Sequence, residues 1–228
     1  MISIILSAGE SKRLIDNKNK VPKTFRIVAG DNIINHQIKK CIDNKFKKIF
    51  INILKKNFKY SKLIKKKFLS NIIFFIEKKP LGTAGGVGAM SKKLYNEENI
   101  LIIYGDNLSE CNYSKMLKYH KKNKSDFTIG YYLKKNPHYS GVLTTKKNIV
   151  VDFQEKITKK DNKKHKLNSG IYILKSSLIH EIKEKKFFDF ANDVIPYFIK
   201  TKKKILSFNV GKVLTFDNKY LFNKNKKL

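Results

Sequence analysis

Six short stretches carry residues whose types and spacing suit phosphate and sugar chemistry. The first is Leu6-Ser7-Ala8-Gly9-Glu10-Ser11-Lys12-Arg13-Leu14, directly after an apolar run. Its small residues let backbone amides come close to a phosphate or a base, and Arg13 can clamp phosphate oxygens with its planar fork. An ordinary strand-to-helix turn that needs a glycine would read the same. The second is Val21-Pro22-Lys23-Thr24-Phe25, where Lys23 is either another phosphate clamp or a plain surface lysine. The third, Pro80-Leu81-Gly82-Thr83-Ala84-Gly85-Gly86-Val87-Gly88, leads small residues into a helix; free amides there would suit an anion or a flat ring. In the fourth, Tyr104-Gly105-Asp106-Asn107, the carboxylate at a strand end can hold Mg²⁺ against phosphate oxygens, or simply cap a turn. The last two are Phe153-Gln154-Glu155-Lys156 and Asn168-Ser169-Gly170-Ile171-Tyr172. A Glu–Lys pair binds a sugar hydroxyl and a phosphate together, or forms a surface ion pair. No G-x-x-x-x-G-K-[ST] loop and no G-x-G-x-x-G after a strand occurs, which excludes those two phosphate cradles.

The elements that must position these stretches follow from hydrophobic period. Apolar runs at 2–6, 48–54, 72–76 and 100–104 read as buried strands. Helical spacing is expected at 31–44, 58–68, 82–93 and 113–122. Strands alternating with helices imply right-handed βαβ units. Residues 126–174 are richer in strands (126–133, 141–144, 149–153 and 170–174), with a charged loop at 159–166. Helices are expected at 176–183 and 190–199, a strand at 205–210 and a frayed helix at 218–225. One domain is expected over 1–228. Its fold class is α/β, three-layer and Rossmann-like, with a mostly parallel central sheet and a small mixed sheet insertion.

Composition narrows the function class. The chain has 228 residues, 41% of them hydrophobic and 12% aromatic, enough for one substantial core. With 11 Gly and 4 Pro it is no collagen-like filament, and no apolar run approaches the ~18 residues of a membrane span. Lys12 and Arg13 follow the apolar start rather than precede it, the reverse of a secretory signal. Cys41 and Cys111 are too few for a disulfide scaffold or a zinc cluster. A cytoplasmic protein is expected, with no membrane partner. The net charge of +32 suggests nucleic acid, but only Arg13 and Arg26 of the 50 basic residues are arginine. Nucleic-acid surfaces favour the bidentate Arg fork, whereas lysines here run end to end among Asn, Ile and Phe. That excess fits drift of an AT-rich coding sequence, and no specific nucleic-acid partner is expected.

Together the stretches fall in the order and approximate spacing of the sugar-1-phosphate nucleotidyltransferases, or nucleotide-sugar pyrophosphorylases, which the chain resembles over nearly its whole length. The L-A-A-G-x-G-T-R-L…P-K signature is matched at Leu6–Leu14 with Pro22-Lys23, P-L-G-T-A-G at Pro80–Gly85, G-D at Gly105-Asp106, E-K at Glu155-Lys156 and N-[AS]-G-I-Y at Asn168–Tyr172. Phe188-Asp189-Phe190-Ala191-Asn192-Asp193-Val194-Ile195-Pro196 resembles F-D-F-x-x-D-V-x-P. None of the five histidines joins a nucleophilic triad or a metal set.

The resemblance implies transfer of a nucleoside monophosphate from an NTP to a sugar 1-phosphate, with release of pyrophosphate, for polysaccharide or glycoconjugate synthesis. By carry-over, Leu6, Ala8, Gly9, Glu77, Pro80, Gly82 and Thr83 bind nucleotide. Arg13 holds the pyrophosphate end, and Lys23 bridges the α-phosphate and the sugar phosphate. Gly141, Glu155, Lys156 and Asn168 bind the sugar phosphate. Asp106 holds Mg²⁺, with Asp217 as a weaker second ligand. The halves fall at about 1–125 for nucleotide and 126–228 for sugar. Glu77 stands five residues before Gly82, where the family places its base-reading side chain. A carboxylate only accepts hydrogen bonds, and guanine offers adjacent N1–H and 2-amino donors, so GTP is favoured. The nearest resemblance is to mannose- or D-glycero-D-manno-heptose-1-phosphate guanylyltransferases. Two departures stand out. Ser11 and Lys12 replace Gly and Thr in the first loop. In the D-I-G-T-P-E-x-Y segment, alignment on Tyr220 puts Val213 where a second metal Asp belongs, and a shift of a few residues offers Asp217. Loss of that ligand would leave an impaired paralogue that binds nucleotide or nucleotide-sugar. No hexapeptide-repeat extension follows, so the bifunctional acetyltransferase type is not expected; a homo-oligomer is compatible with the sequence.

Overall fold

The computed structural model describes residues 2–9, 21–46, 48–94, 96–135, 141–155, 162–182 and 188–216. The first strand, β1 (Ile2–Leu6), is buried at all five positions. Its side chains alternate between two cores, as a strand's period of two requires. Ile2, Ile4 and Leu6 face one core, and Ile5 faces the other. Two short strands, β2 (Ile27–Val28) and β3 (Asp31–Asn32), form a tight hairpin. Ala29 and Gly30 turn it with φ of 49° and 77°, the left-handed pair that a two-residue hairpin loop needs. Helix α1 (Ile33–Asp43) starts at once and buries Ile34, Ile38 and Cys41.

Strands β4 (Lys48–Leu54) and β5 (Ile72–Glu77) are joined by two 3₁₀ stretches, Lys55–Leu63 and Lys66–Asn71. A helix over 58–68 was the sequence expectation. The first stretch buries no side chain. Without a packed apolar stripe, helical propensity alone does not hold a helix of that length. The helix expected at 82–93 forms in two pieces, α2 (Thr83–Ala89) and α3 (Ser91–Leu94); glycines at 85, 86 and 88 weaken its interior.

Strand β6 (Asn99–Tyr104) is followed by the short β7 (Asn107–Ser109) and by α4 (Tyr113–Lys122), whose Asn112 cap accepts from Lys115 N at 2.8 Å. Then come β8 (Phe127–Lys135), β9 (Val142–Lys146), β10 (Ile149–Gln154) and the twelve-residue β11 (Lys164–Lys175). The chain passes through 3₁₀ turns at Ser176–Glu181 and a π-helical turn at Phe190–Val194 into α5 (Ile195–Lys200), then β12 (Ile205–Asn209) and β13 (Val213–Thr215). The frayed helix expected at 218–225 lies outside the described residues.

Among the described residues nine strands form one sheet in the order β5-β4-β1-β6-β11-β8-β12-β10-β9. The β5-β4-β1-β6 block is parallel, as expected. The strand-rich middle continues the same sheet in mixed sense: β11 inserts antiparallel between β6 and β8, and β12 runs parallel to β8. α2 and α5 cover one face with Val87, Ile195 and Phe198; α1 and α4 cover the other with Ile34, Ile38, Met116 and Leu117. The result is the three-layer α/β sandwich expected. Among the described residues no helix is long and apolar enough to cross a membrane.

Candidate functional site

The carboxyl ends of β1, β4, β5 and β6 lie side by side, the place where open α/β sheets bind ligands. After β1, the Ser7 N–H donates to Asn52 Oδ1 on β4 at 2.7 Å, and Ser7 Oγ shares a 2.6 Å hydrogen bond with Thr24 Oγ1. Gly9 is exposed, and among the described residues a Cβ there would meet nothing within 4 Å. Leu6 and Ala8 are buried beneath it.

The Thr24 contact anchors the 3₁₀ turn Lys23–Phe25, in which Thr24 and Phe25 are buried. Lys23 Nζ thereby reaches Asp106 Oδ2 at 3.4 Å, with side-chain exposures of 14% and 25%. Gly105 makes this approach possible. A Cβ there would sit 2.7 Å from the Leu6 carbonyl oxygen and 2.9 Å from Thr24 Cγ2, and its N–H donates to Leu6 O at 2.9 Å. The glycine beside Asp106 thus locks the first turn, the Lys23 turn and the carboxylate into one unit.

Beside them lies a buried polar bridge. Asn52 Nδ2 donates to Glu77 Oε1 at 2.7 Å, and Leu81 N donates to Oε2 at 3.2 Å. Glu77 is 2% exposed. Burial raises its pKa above the ordinary value, and the two hydrogen bonds oppose that rise. A Cβ on Gly86 would lie 2.7 Å from both Asn52 Nδ2 and Glu77 Oε1, so α2 sits directly against the bridge. Nothing in the sequence motifs names Asn52. Its signal was a lone polar residue in the apolar run Ile49-Phe50-Ile51-Asn52-Ile53-Leu54, since a buried amide must be paired.

The expectation of free amides at the start of α2 is corrected. The N–H groups of Ala84 and Gly85 both donate to the Phe188 carbonyl at 3.0 Å. Gly82, after Pro80, has φ of 80°, and a Cβ on it would collide with that same carbonyl. Thr83 Oγ1 donates to Asp189 Oδ2 at 2.7 Å. This loop is therefore held from behind by the Phe188-Asp189 segment, and the amides of Ala84 and Gly85 are taken by it rather than open to an anion.

In the half expected to take the sugar phosphate, Asn168 N donates to Gly141 O at 2.9 Å. Glu155 and Phe153 lie so close to Gly141 that a Cβ there would overlap both. Gly141, Glu155 and Asn168 thus share one wall, formed where β11 pairs briefly with β9 through Lys166 and Leu167. Arg13, Lys156 and Asp217 lie outside the described residues.

Among the described residues no set of three His, Cys, Asp or Glu side chains could hold a metal ion. Asp106 is a single carboxylate at a strand end. β13 pairs antiparallel with β7, placing Val213 opposite Ser109 and Thr215 opposite Asn107. The strand thus approaches the neighbour of Asp106 at Thr215, two residues before Asp217, rather than at Val213. Phe216 is fully buried with Val28 and Ile33, which anchors this approach.

The nucleotidyl transferase family model matches residues 2–213. The chain belongs to this family. A Sulfolobus acidocaldarius protein provisionally named mannose-1-phosphate guanyltransferase is 25% identical over 181 residues, covering 79% of this chain and 50% of that protein. A glucose-1-phosphate adenylyltransferase of Lachnospira eligens is 33% identical over 122 residues, covering 50% of this chain and 28% of that protein. The chain thus spans half or less of these curated relatives. HddC from Yersinia pseudotuberculosis, crystallised with GMP-PN, superposes with a TM-score of 0.82 at 22% identity, covering 98% of this chain and 97% of that one. The nucleotidyl transferase fold is therefore shared along the chain.

Proposed function

We propose that this nucleotidyl transferase joins an NTP to a sugar 1-phosphate, forming a nucleotide-diphosphate sugar and pyrophosphate. The observation that carries the reading is the Lys23–Asp106 pair, locked beneath the first glycine turn by Gly105. In this reaction a phosphate oxygen of the sugar 1-phosphate forms a bond to the α-phosphorus as the bond to pyrophosphate breaks. The protein's work is to align two polyanions and offset their repulsion. Lys23 lies between the α-phosphate and the sugar phosphate, and Arg13 holds the departing pyrophosphate. Lys156 binds the sugar phosphate, and Gly141, Glu155 and Asn168 bind sugar hydroxyls. Leu6, Ala8, Gly9, Pro80, Gly82 and Thr83 shape the nucleotide pocket.

Asp106 fits Mg²⁺, which is commonly bound by one or two carboxylates with substrate phosphates and water completing its octahedron. Asp217 would be its second carboxylate; the approach of β13 to Asn107 supports that choice over Val213. When bound, the cation supplies charge neutralisation on the phosphate oxygens. The substrates imply a cytoplasmic enzyme.

GTP is the proposed nucleotide. The acceptor-only chemistry of the Glu77 carboxylate supports this choice; that group is 2% exposed and takes Asn52 Nδ2 and the Leu81 N–H, so guanine N1–H and the 2-amino group reach it only when the packing of α2 against it opens. The name of the Sulfolobus relative agrees with this, whereas that of the Lachnospira relative points to adenine. The test is pyrophosphate release over GTP, ATP, CTP, UTP and dTTP crossed with mannose-, glucose-, galactose- and heptose-1-phosphate, with Glu77→Gln alongside. The expected result is highest kcat/KM with GTP, and at least about a tenfold loss of that preference in E77Q, the size of one hydrogen-bond contact to the base. Preference for UTP or dTTP would overturn the guanine assignment and leave the transfer reaction standing. Equal loss for every nucleotide in E77Q would make Glu77 a brace rather than a reader.

A further inference from the structure

One hydrogen-bond chain links the sugar wall to the segment behind the nucleotide loop. Asp189 Oδ2 accepts from Thr83 Oγ1 at 2.7 Å. Thr83 Oγ1 accepts from Phe190 N at 2.9 Å and from the Tyr104 hydroxyl at 3.4 Å. The Tyr104 hydroxyl accepts from Tyr172 at 3.3 Å, and the Tyr172 hydroxyl accepts from Asn168 Nδ2 at 2.7 Å. At the far end Asn168 Oδ1 accepts from Gly170 N at 3.1 Å.

The direction of this chain is forced. A carboxylate is acceptor-only, and each hydroxyl has one hydrogen. Thr83 spends its hydrogen on Asp189, so it can only accept from Tyr104. Tyr104 spends its hydrogen on Thr83, and Tyr172 spends its own on Tyr104. Towards Asn168, Tyr172 is therefore an acceptor, and the amide must present its NH₂. The Gly170 N–H independently demands the amide oxygen on the other side. Both phenols carry their hydrogens near neutral pH, since a tyrosine ordinarily loses its proton only at about pH 10. Packing holds the line: Tyr172 is fully buried against Phe127 and Phe190, with ring centroids 5.3 and 5.1 Å away. Gly170, at φ 69°, lies directly on the Tyr104 ring.

We propose that Asp189 is a positioning residue: through Thr83, Tyr104 and Tyr172 it fixes the orientation of the Asn168 amide, and so the one donor and one acceptor left to meet a sugar hydroxyl. The consequence for catalysis rests on the reading of Asn168 as a sugar contact. The relay also ties the sugar wall to Thr83 in the nucleotide loop, so cutting it should change sugar affinity from a distance.

The test uses Asp189→Asn and Tyr172→Phe, singly and together, in the full-length protein. D189N keeps a side-chain oxygen for the Ala191 and Asn192 amides that Asp189 now caps, but it can turn an NH₂ towards Thr83 and reverse every hydroxyl behind it. Tyr172 would then offer a hydrogen to the Asn168 NH₂, a clash of donors. Expected are a rise of about tenfold in KM for the sugar 1-phosphate in each single variant, the size of one lost hydrogen bond, and no further rise in the double variant, because the link is already cut. KM for the NTP should stay within about twofold in Y172F. The relay is read separately from activity by the Asn168 side-chain amide resonance in ¹⁵N-labelled protein, which must shift in D189N. A sugar KM unchanged in D189N, effects that multiply in the double variant, or an unmoved amide resonance would each overturn the proposal. A shifted resonance in a protein that turns over no sugar phosphate would refute the transferase reading and leave the relay standing.

Discussion

Replacing Asp106 with Asn should lower pyrophosphate release by about 10³-fold, the upper end for removing one preorganised electrostatic group, while the fold survives. Asp106 is the carboxylate that the Lys23 turn and Gly105 hold in place. Asn keeps the shape but loses the charge that the proposed Mg²⁺ would need. The 3.4 Å contact with Lys23 loses its charge, yet both groups are partly open to solvent, so stability should change by less than about 1 kcal/mol. Single-turnover pyrophosphate release and a thermal melt on the same sample check both halves. A large drop in Tm with the rate loss would mean that Asp106 is a structural brace; a rate within threefold of wild type would remove it from the chemistry.

Asn52→Leu should have the largest effect on stability. It leaves the Glu77 carboxylate buried with only the Leu81 N–H, and it orphans the Ser7 N–H. Leaving the buried carboxylate and the buried N–H each short of a hydrogen-bond partner costs about 1–3 kcal/mol apiece, which for a chain of this size lowers Tm by roughly 10 °C. The pH dependence has a definite sign. Glu77 already titrates above its ordinary 4.5 in the folded state, because burial outweighs its hydrogen bonds. Its contribution to stability is therefore complete below the unfolded value and is lost as pH rises through the folded one. Removing Asn52 pushes the folded pKa further up. The deficit of N52L against wild type should be smaller at pH 4.5 than at pH 7.5, as measured by urea unfolding at both. An equal deficit at the two values would show that the charge of Glu77 is not what Asn52 supports.

Much of this architecture was legible in the sequence for simple reasons. Runs such as Ile2–Leu6 and Asn99–Tyr104 are central strands buried on both faces, and such strands advertise themselves as continuous apolar stretches. The glycine positions were legible too, because close approach leaves no alternative: Gly105 touches the Leu6 carbonyl, and Gly82 faces that of Phe188. What the sequence hid was partnership. Nothing local says that Phe188 O takes the first amides of α2, since the two lie about a hundred residues apart. Nor does local pattern show that β11 would run through Lys164–Lys175 and bulge at Gly170, where its register against β8 shifts between Asn168 and Tyr172. The 58–68 segment misled because its lysines and aromatics imitate helical spacing, whereas residues 55–63 bury no side chain and only Ile64 and Phe68 beyond them reach the core. Asn52 went unnoticed because a motif search looks in loops, whereas its role comes from the middle of a sheet.

The most direct test of the central claim is ³¹P NMR of the protein with GTP, a sugar 1-phosphate and Mg²⁺, followed in time. The account predicts loss of the GTP signals and of the sugar phosphomonoester together, with the coupled pair of a nucleotide-diphosphate sugar and the singlet of pyrophosphate growing in equal amounts; Asp106→Asn should leave the spectrum essentially still. GDP and inorganic phosphate formed while the sugar phosphate stays untouched would make the chain a nucleotide hydrolase, and no change with any NTP and any sugar phosphate would contradict the transfer reaction altogether.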